Sequence, residues 1–194
     1  KKFLDPACGS GGMFVQAARY MHKHNASTSA MMNFRCYGVE KEPDTVKLAK
    51  MNLLLNNVRG EITEANSFYA DPYNAFEQFD YVMANPPFNV DKVKSETALN
   101  AGRLPFGLPS INKNKEIGNA NYLWISYFHA YLNEKGRAGF VMASSATDSQ
   151  SKDRDIREQL VKTGDVDVML SVCNNFFYTK SLPCSLWFFD KAKK

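Results

Sequence analysis

The sequence lacks several features that would assign it to a special class of protein. No apolar run is long enough to cross a bilayer, and no signal peptide opens the chain. The 4 cysteines form no CxxC pair and no paired framework. The 3 histidines have no metal-ligand pattern around them. We therefore expect a cytoplasmic protein with reduced thiols, no metal and no membrane partner.

Neither sign of charge dominates the sequence. Against 24 Lys and Arg stand 20 Asp and Glu, and the net charge of +4 permits a nucleic-acid partner without requiring one. The 194 residues are 44% hydrophobic and 23% charged, which is typical of one globular domain with a real core. The chain has no initiator Met and opens on a strand-like segment. We expect a single domain over residues 1–194, excised from a longer protein.

Apolar periodicity predicts alternating strands and helices. The predicted strands cover residues 1–5, 34–40, 61–65, 79–84, 137–143, 166–172 and 185–189. The predicted helices cover residues 12–24, 43–56, 119–134 and 152–162, and the predicted loops include 25–33 and 89–118. This alternation indicates an α/β fold with a mostly parallel sheet covered on both faces. Because only a loop joins the last two strands, we expect them to form an antiparallel pair.

Polar residues follow four of the predicted strands. Asp5, Glu40, Asn66 and Asn85 each come at or just past a strand end. Ligands of parallel sheets bind outside the carboxyl ends of the strands, near the point where the strand order reverses. The sequence therefore predicts that these four side chains lie along one edge of the sheet.

A glycine-rich segment, DPACGSGG, separates the first strand from the first helix. Glycines let a backbone turn tightly and touch a ligand. Phe14 stands where the dinucleotide-binding fingerprint has its third glycine, which disfavours a dinucleotide. The carboxylate of Asp5 also offers nothing to a pyrophosphate, whereas it suits a cationic ammonium group. The alternative is a tight turn without a ligand.

Two later strand ends fit a nucleoside such as S-adenosylmethionine. Glu40 can accept both ribose hydroxyl hydrogens, and Asn66 and Ser67 can hydrogen-bond an adenine edge. Phe68 is predicted either to cover the adenine ring or to lie in the core. For Cys8 we expect packing rather than nucleophilic chemistry.

The most specific tetrapeptide is Asn85-Pro86-Pro87-Phe88. Two prolines fix the backbone and remove two N–H donors, so rigid acceptors follow a buried strand. The Asn85 side-chain carbonyl and the Pro86 carbonyl suit the N–H groups of a planar amine, and Phe88 offers a flat face for a base. Positioning and preorganised dipoles would do most of the work in transferring a methyl group from a sulfonium to such an amine. A turn that only ends the strand is the alternative.

These motifs carry a resemblance to a known family. DPACGSGG, the acid in YGVE, NSF and NPPF resemble, in that order, the motifs of amino-group DNA methyltransferases of the gamma group, which methylate adenine N6. The segments from RLPFGLPS to GFVMA, IREQLVKTGDVDVMLSVCNNFF and CSLWFF resemble the modification subunit of type I restriction-modification systems. The resemblance covers nearly the whole chain.

The resemblance implies a Rossmann-like, S-adenosylmethionine-dependent methyltransferase fold with a seven-stranded sheet whose last strand is antiparallel. It implies duplex DNA with a flipped adenine, a specificity subunit and a restriction subunit as partners, and a helical region and tail outside residues 1–194. The implied cofactor-binding residues are Asp5, Ala7, Cys8, Gly9, Ser10, Gly11, Glu40, Asn66 and Ser67. The implied catalytic residues are Asn85, Pro86, Pro87 and Phe88. The family usually has Asp where Asn66 stands.

Other functions remain open on the sequence alone. The same fold can methylate guanine N2 in RNA or a protein glutamine amide. A NAD-binding oxidoreductase and a non-catalytic subunit-docking or DNA-holding module are further alternatives. The segment 89–118 is predicted either to contact DNA phosphates or to be a solvated loop; its basic residues are Lys92, Lys94, Arg103, Lys113 and Lys115.

Overall fold

A computed structural model describes residues 1–24, 26–175 and 181–193 of the protein. Its elements in chain order are β1 (Lys2–Asp5), α1 (Gly12–Lys23), α2 (Thr28–Met32), β2 (Arg35–Glu40), α3 (Pro43–Leu55), β3 (Gly60–Glu64), β4 (Phe79–Ala84), β5 (Val93–Lys94), α4 (Ser95–Asn100), β6 (Glu116–Ile117), α5 (Asn121–Tyr131), β7 (Leu132–Ala143), a 3-10 turn (Ser144–Thr147), α6 (Lys152–Lys162), β8 (Val166–Val172) and β9 (Cys184–Asp190).

Seven strands form one sheet in the order β3-β2-β1-β4-β7-β9-β8. The ladders from β3 to β7 are all parallel, and β9 runs antiparallel to both of its neighbours. The predicted α/β fold, with its seven-stranded sheet and antiparallel last strand, is therefore confirmed. The predicted antiparallel pairing of the last two strands is confirmed as well, although residues 176–180 of their connection lie outside the described residues.

The strand order creates a switch point beside β1. The chain runs outward from β1 to β2 and β3, then returns to place β4 on the other side of β1. Phe3 and Leu4 of β1 are in register with Tyr81 and Val82 of β4. Because the two strands are parallel neighbours, the segments that follow them leave the sheet side by side.

The helix α5 forms the centre of the core. All 11 of its residues are buried, which explains why its sequence is apolar or aromatic on every side. Its aromatic rings pack against the sheet and against the segment after β3: Phe128 lies 4.7 Å from Phe140, and Trp124 lies 4.6 Å from Phe68, between ring centroids. A smaller cluster, which includes Phe3 and Phe14, lies beneath α1 and α3.

Local boundaries differ from the prediction in two places. The predicted loop 25–33 contains α2, which begins where the Ser27 hydroxyl accepts a hydrogen bond from the Ala30 backbone N–H at 3.1 Å; Asn25 lies outside the described residues. The helix predicted over 119–134 ends at Tyr131, and β7 begins at once with Leu132. Extended backbone at Leu132 ends the helix and lets this residue pair with Phe79 of β4.

Part of the segment 89–118 packs on the core, so the interpretation of the whole segment as a solvated loop is wrong. It contains the antiparallel pair β5–β6 and the helix α4. Val93, Ala98 and Ile117 are buried in the main core. Arg103 is 1% exposed, with its guanidinium 4.4 Å from the ring centroid of Tyr127. Arg103 is therefore not available to a DNA phosphate, and that prediction is corrected.

The other four basic residues of the segment, Lys92, Lys94, Lys113 and Lys115, are exposed. Phosphate contact stays a prediction for them. No helix within the described ranges is long and apolar enough to span a membrane.

Candidate functional site

The carboxyl ends of four parallel strands meet at one edge of the sheet. Asp5 at the end of β1 is in register with Gly38 of β2, and Glu40 at the end of β2 is in register with Glu64 of β3. Asn66 follows β3 by two residues, and Asn85 directly follows β4. The structure therefore brings the four polar strand ends to one edge, as the sequence predicts.

The glycine-rich segment forms a tight turn between β1 and α1. The Gly11 N–H donates to the Cys8 carbonyl at 2.8 Å, and the Cys8 N–H donates to the Val39 carbonyl of β2 at 3.0 Å. Gly9 and Gly11 have φ angles of +51° and +76°, in the left-handed region that glycine adopts without steric cost. A Cβ atom on Gly9 would meet nothing within 4 Å. Any other residue in place of Gly9 or Gly11 would therefore be strained, and there is free space beside Gly9.

Glu40 holds this turn against the start of α3. One carboxylate oxygen accepts from the Gly9 N–H at 3.1 Å, and the other accepts from the N–H groups of Lys41 and Glu42 at 2.8 and 3.0 Å. Sequence reasoning expected Glu40 to bind a ribose and missed this second role. A charged carboxylate that accepts backbone N–H groups forms stronger bonds than a neutral acceptor, so Glu40 fixes the glycine turn.

Asp5 is a buried acid at the base of the same turn. It is 1% exposed, and one carboxylate oxygen accepts from the Ala7 N–H at 3.0 Å. Burial, with a smaller contribution from the negative charge of Glu40, raises the pKa of Asp5 from 3.8 to about 7. Among the described residues, no cationic side chain forms an ion pair with Asp5. Such an acid is suited to stabilise a positive charge brought by a ligand.

A cleft of about 370 Å³ opens between the ends of β1, β2 and β3 and the segment after NPPF. Of the predicted cofactor-binding residues, Ala7, Glu40, Asn66 and Ser67 line it. The other five do not line it and lie in the turn behind it: Asp5, Cys8, Gly9, Ser10 and Gly11. Pro87 of the predicted catalytic tetrapeptide lines the opposite wall.

The amide and hydroxyl after β3 hold the wall of the cleft. The Asn66 side-chain oxygen accepts from the Phe68 N–H at 3.0 Å, and the Ser67 hydroxyl donates to the Pro6 carbonyl at 2.5 Å. Ser67 is 5% exposed. The Asn66 bond is local, whereas the Ser67 bond ties the segment after β3 to the segment after β1. The adenine contacts predicted for Asn66 and Ser67 stay predictions.

Phe68 lies in the core, as one of its two predicted roles requires, and it also lines the cleft. Its carbonyl accepts from the Tyr127 hydroxyl at 3.0 Å, and its ring packs at a 45° tilt against that of Trp124, which lines the cleft too. Cover of an adenine ring by Phe68 stays a prediction. Trp124 lies in the helix predicted over residues 119–134, and the sequence gave no sign of its place in the cleft wall.

The tetrapeptide NPPF leaves the sheet directly after β4. Asn85 and Pro87 are exposed, Pro86 is buried, and Phe88 is half-buried against the main core. The described chain contains no cis peptide bond, so both prolines follow trans bonds. The tetrapeptide therefore presents Asn85 to solvent at the edge of the sheet where the cleft opens.

The remaining candidate residues behave as packing groups. Cys8 is buried, and burial together with the nearby carboxylates of Asp5 and Glu40 raises the pKa of its thiol far above its usual value, which disfavours the nucleophilic thiolate. His129 lies buried in α5, 2.7 Å from a carboxylate oxygen of Asp165. Burial lowers the pKa of His129. Within the described residues, no group of three His, Cys, Asp or Glu could hold a metal.

The chain is similar in sequence to methylase subunits of type I restriction enzymes. The Type I restriction enzyme MjaIX methylase subunit of Methanocaldococcus jannaschii is 35% identical over 196 residues, covering 98% of this chain and 33% of that protein. The Type I restriction enzyme HindI methylase subunit of Haemophilus influenzae is 29% identical over 195 residues, covering 100% of this chain and 42% of that protein. The chain thus spans between a third and a half of the length of these relatives.

The fold has solved counterparts as well. The type I restriction-modification system methyltransferase subunit from Streptococcus thermophilus matches with a TM-score of 0.84 at 22% identity, covering 100% of this chain and 40% of that chain. The family model described as N-6 DNA Methylase matches residues 1–194. With a family match over its whole length, the chain belongs to the N-6 DNA methylase family.

Proposed function

We propose that residues 1–194 are the catalytic domain of the modification subunit of a type I restriction-modification system. The domain transfers a methyl group from S-adenosylmethionine to the N6 amino group of an adenine flipped out of duplex DNA. The observation that carries this proposal is the adjacency of the two sites. The segment DPACGSGG forms what we call the acid–glycine turn. Because β1 and β4 are parallel neighbours, this turn and NPPF leave the same edge of the sheet, and residues of both, Ala7 and Pro87, line one cleft.

The free space and the acidic side chains of the donor site suit S-adenosylmethionine. The space beside Gly9 lets a ligand approach the backbone, and the polar side chains of Glu40 and Asn66 line the cleft. Buried Asp5 has no positive partner among the described ion pairs, and an ammonium group would supply one. When bound, the cofactor supplies a methyl group on a sulfonium, an electrophile that a neutral amine can attack.

The residues of NPPF act on the acceptor. The side-chain oxygen of Asn85 and the carbonyl of Pro86 accept the two N–H groups of the adenine amine, which favours a pyramidal nitrogen with an available lone pair. Two trans prolines hold these acceptors in place before the base arrives, and preorganised dipoles cost no reorganisation during the reaction. Phe88 stacks on the extruded base, which is otherwise out of reach inside the duplex.

The proposed partners follow from the relatives, which are named methylase subunits of type I restriction enzymes. We propose that the chain works with a specificity subunit, which reads the DNA sequence, and with a restriction subunit. The exposed lysines of segment 89–118 are suited to phosphate contacts beside the target site. The proposed location is the cytoplasm, where the DNA substrate is available.

Methyl transfer from labelled S-adenosylmethionine tests the function. The complete modification subunit with its specificity subunit is incubated with unmethylated genomic DNA, structured RNA and a glutamine-containing protein. We expect label in DNA only, as N6-methyladenine. Asn85→Ala should lower the rate at least about 100-fold, because one preorganised acceptor is lost. Asn114→Ala, at an exposed loop asparagine, is the matched control. Label in RNA or protein, or full activity in Asn85→Ala, would contradict the proposal.

A further inference from the structure

Three asparagines form a hydrogen-bond network directly behind the tetrapeptide. The Asn121 side-chain oxygen accepts from the Asn89 backbone N–H, and its amide nitrogen donates to the Asn89 side-chain oxygen, both at 2.9 Å. The Asn119 amide donates to the same Asn89 oxygen at 3.0 Å. We call these residues, Asn89, Asn119 and Asn121, the asparagine network.

Asn89 is the first residue after Phe88, and its backbone is left-handed, with φ of +55°. Asparagine tolerates this conformation better than most residues, but it is still a sparsely populated region. The network bonds both the backbone and the side chain of Asn89, and therefore fixes the direction in which the chain leaves NPPF.

Asn121 connects this point to the buried helix α5. It is 2% exposed and is the first residue of α5, whose residues are all buried. The neighbouring Ala120 N–H donates to the Val90 carbonyl at 2.9 Å, which adds a parallel backbone link. The exit of NPPF is thus held from two consecutive positions on the chain.

Helix capping does not account for this arrangement. Asn119 supplies the local bond, since its side-chain oxygen accepts from the Asn121 backbone N–H at 2.9 Å. Both polar atoms of the Asn121 side chain instead reach Asn89, 32 residues away in sequence. Because both polar atoms of this buried amide bond to Asn89, we infer that Asn121 fixes the conformation of Asn89.

We propose that Asn121 is a positioning residue for the target-base site, and that it acts through Asn89 to hold Asn85, Pro86 and Phe88 in the reactive arrangement. This inference rests on the proposed function. Loss of positioning by about 1 Å can lower a rate about 100-fold without any direct contact to substrate. Asn121 itself does not line the cofactor cleft, and the cofactor-binding residues that do, such as Glu40 and Asn66, follow other strands, so we expect substitution of Asn121 to affect methyl transfer far more than cofactor binding.

The test measures single-turnover methyl transfer by the complete subunit with its specificity partner, at saturating S-adenosylmethionine and unmethylated genomic DNA. We expect Asn121→Ala to lower this rate about 10- to 100-fold and to change the Kd for S-adenosylhomocysteine, measured by calorimetry, by less than about twofold. Asn133→Ala is the matched control, because the Asn133 side-chain oxygen also accepts a backbone N–H, from Lys135 at 3.1 Å, and lies at the start of β7, outside both the asparagine network and segment 89–118.

Variants of exposed Asn89 keep the test decisive if Asn121→Ala does not fold. Asn89→Asp retains an oxygen acceptor for both amide donors and should stay within about threefold of the wild-type rate. Asn89→Ala removes the acceptor and disfavours the left-handed backbone, and its methyl-transfer rate should fall as that of Asn121→Ala does. Asn89→Gly keeps the backbone conformation and the N–H donor, and its rate should lie between those of Asn89→Asp and Asn89→Ala.

The outcomes separate this inference from the function on which it rests. A wild-type rate in folded Asn121→Ala, or equal rates in Asn89→Ala and Asn89→Asp, would overturn the positioning role. A joint loss of rate and of cofactor affinity would also overturn it, since that indicates general disruption of the site. If the wild-type assembly does not methylate DNA, the proposed function fails and the inference fails with it.

Discussion

At the scale of single residues, the proposed binding role of Asp5 would oppose the stability of the fold. The side chain is fully buried without a positive partner among the described ion pairs, and burial raises its pKa to about 7. One pKa unit corresponds to about 1.4 kcal/mol, so ionising Asp5 in the unliganded fold costs on the order of 4 kcal/mol. A bound cation would offset this cost.

Asp5→Asn should therefore stabilise the unliganded domain at high pH. The folded-state pKa of Asp5 lies above its unfolded value, so the wild-type protein loses stability as the pH rises from about 4 through about 7. The amide keeps the oxygen that accepts from Ala7 and has no charge to desolvate. We expect the Asp5→Asn variant and the wild-type protein to match near pH 4, and the variant to be more stable by up to about 4 kcal/mol at about pH 8.

Urea unfolding across this pH range measures the difference. Asp44→Asn, at an exposed carboxylate in the first turn of α3, serves as the control for the loss of one charge. If the Asp5 variant shows no gain relative to wild type between about pH 4 and 8, Asp5 is ionised in the unliganded protein and the argument from burial is wrong.

At the scale of elements, Gly11 determines how α1 packs on α3. A Cβ atom at this position would lie 2.8 Å from Leu53 Cδ1, a side chain that is 4% exposed and has little room to move. The φ angle of +76° adds a backbone cost for any residue with a Cβ. The glycine therefore serves the contact between two helices as well as the turn.

Gly11→Ala should destabilise the domain by about 1–3 kcal/mol, from the left-handed backbone and the clash with Leu53. Gly12→Ala is the matched control, because Gly12 is the first residue of α1 and a Cβ there would meet nothing within 4 Å. We expect Gly12→Ala to be neutral or slightly stabilising in thermal unfolding. Equal loss in the two variants would show that the helix contact does not depend on Gly11.

At the scale of the whole molecule, the strand order places the proposed donor and acceptor sites beside each other. The acid–glycine turn follows β1 and NPPF follows β4, and the chain between them supplies β2 and β3. The side chains of the acid–glycine turn and those of NPPF come from different segments of the chain, although residues of both line one cleft. Binding of the donor and binding of the acceptor should therefore respond to different substitutions.

S-adenosylhomocysteine should distinguish the two sites by stabilising the fold. At about 100 times its Kd, a ligand adds about 2.7 kcal/mol to the free energy of unfolding, which raises Tm. We expect this gain in wild-type protein and in Asn85→Ala, and its loss in Asp5→Asn, whose amide cannot neutralise an ammonium group. The comparison is made by thermal unfolding with and without the ligand. Loss of the gain in Asn85→Ala would mean that the donor and acceptor sites are not separable.

The sequence by itself determined the features that depend on local pattern. Apolar periodicity located the long strands and helices, and the polar residues at strand ends located the edge of the sheet where the site lies. It could not locate β5, β6 or α2, because two to five residues carry too little periodic signal. It also misjudged Arg103, since no local pattern distinguishes a loop arginine in solvent from one stacked on Tyr127.

Only the tertiary structure decided which distant groups touch. Glu40 bonds Gly9 from the next strand, and Asn121 bonds Asn89 from the start of α5. A hydrogen bond depends on two positions that the chain brings together only after its core has formed, whereas helix and strand patterns arise from neighbours within one segment. The chemistry of the strand ends is therefore readable in the sequence, and the network that holds it in place is a property of the fold.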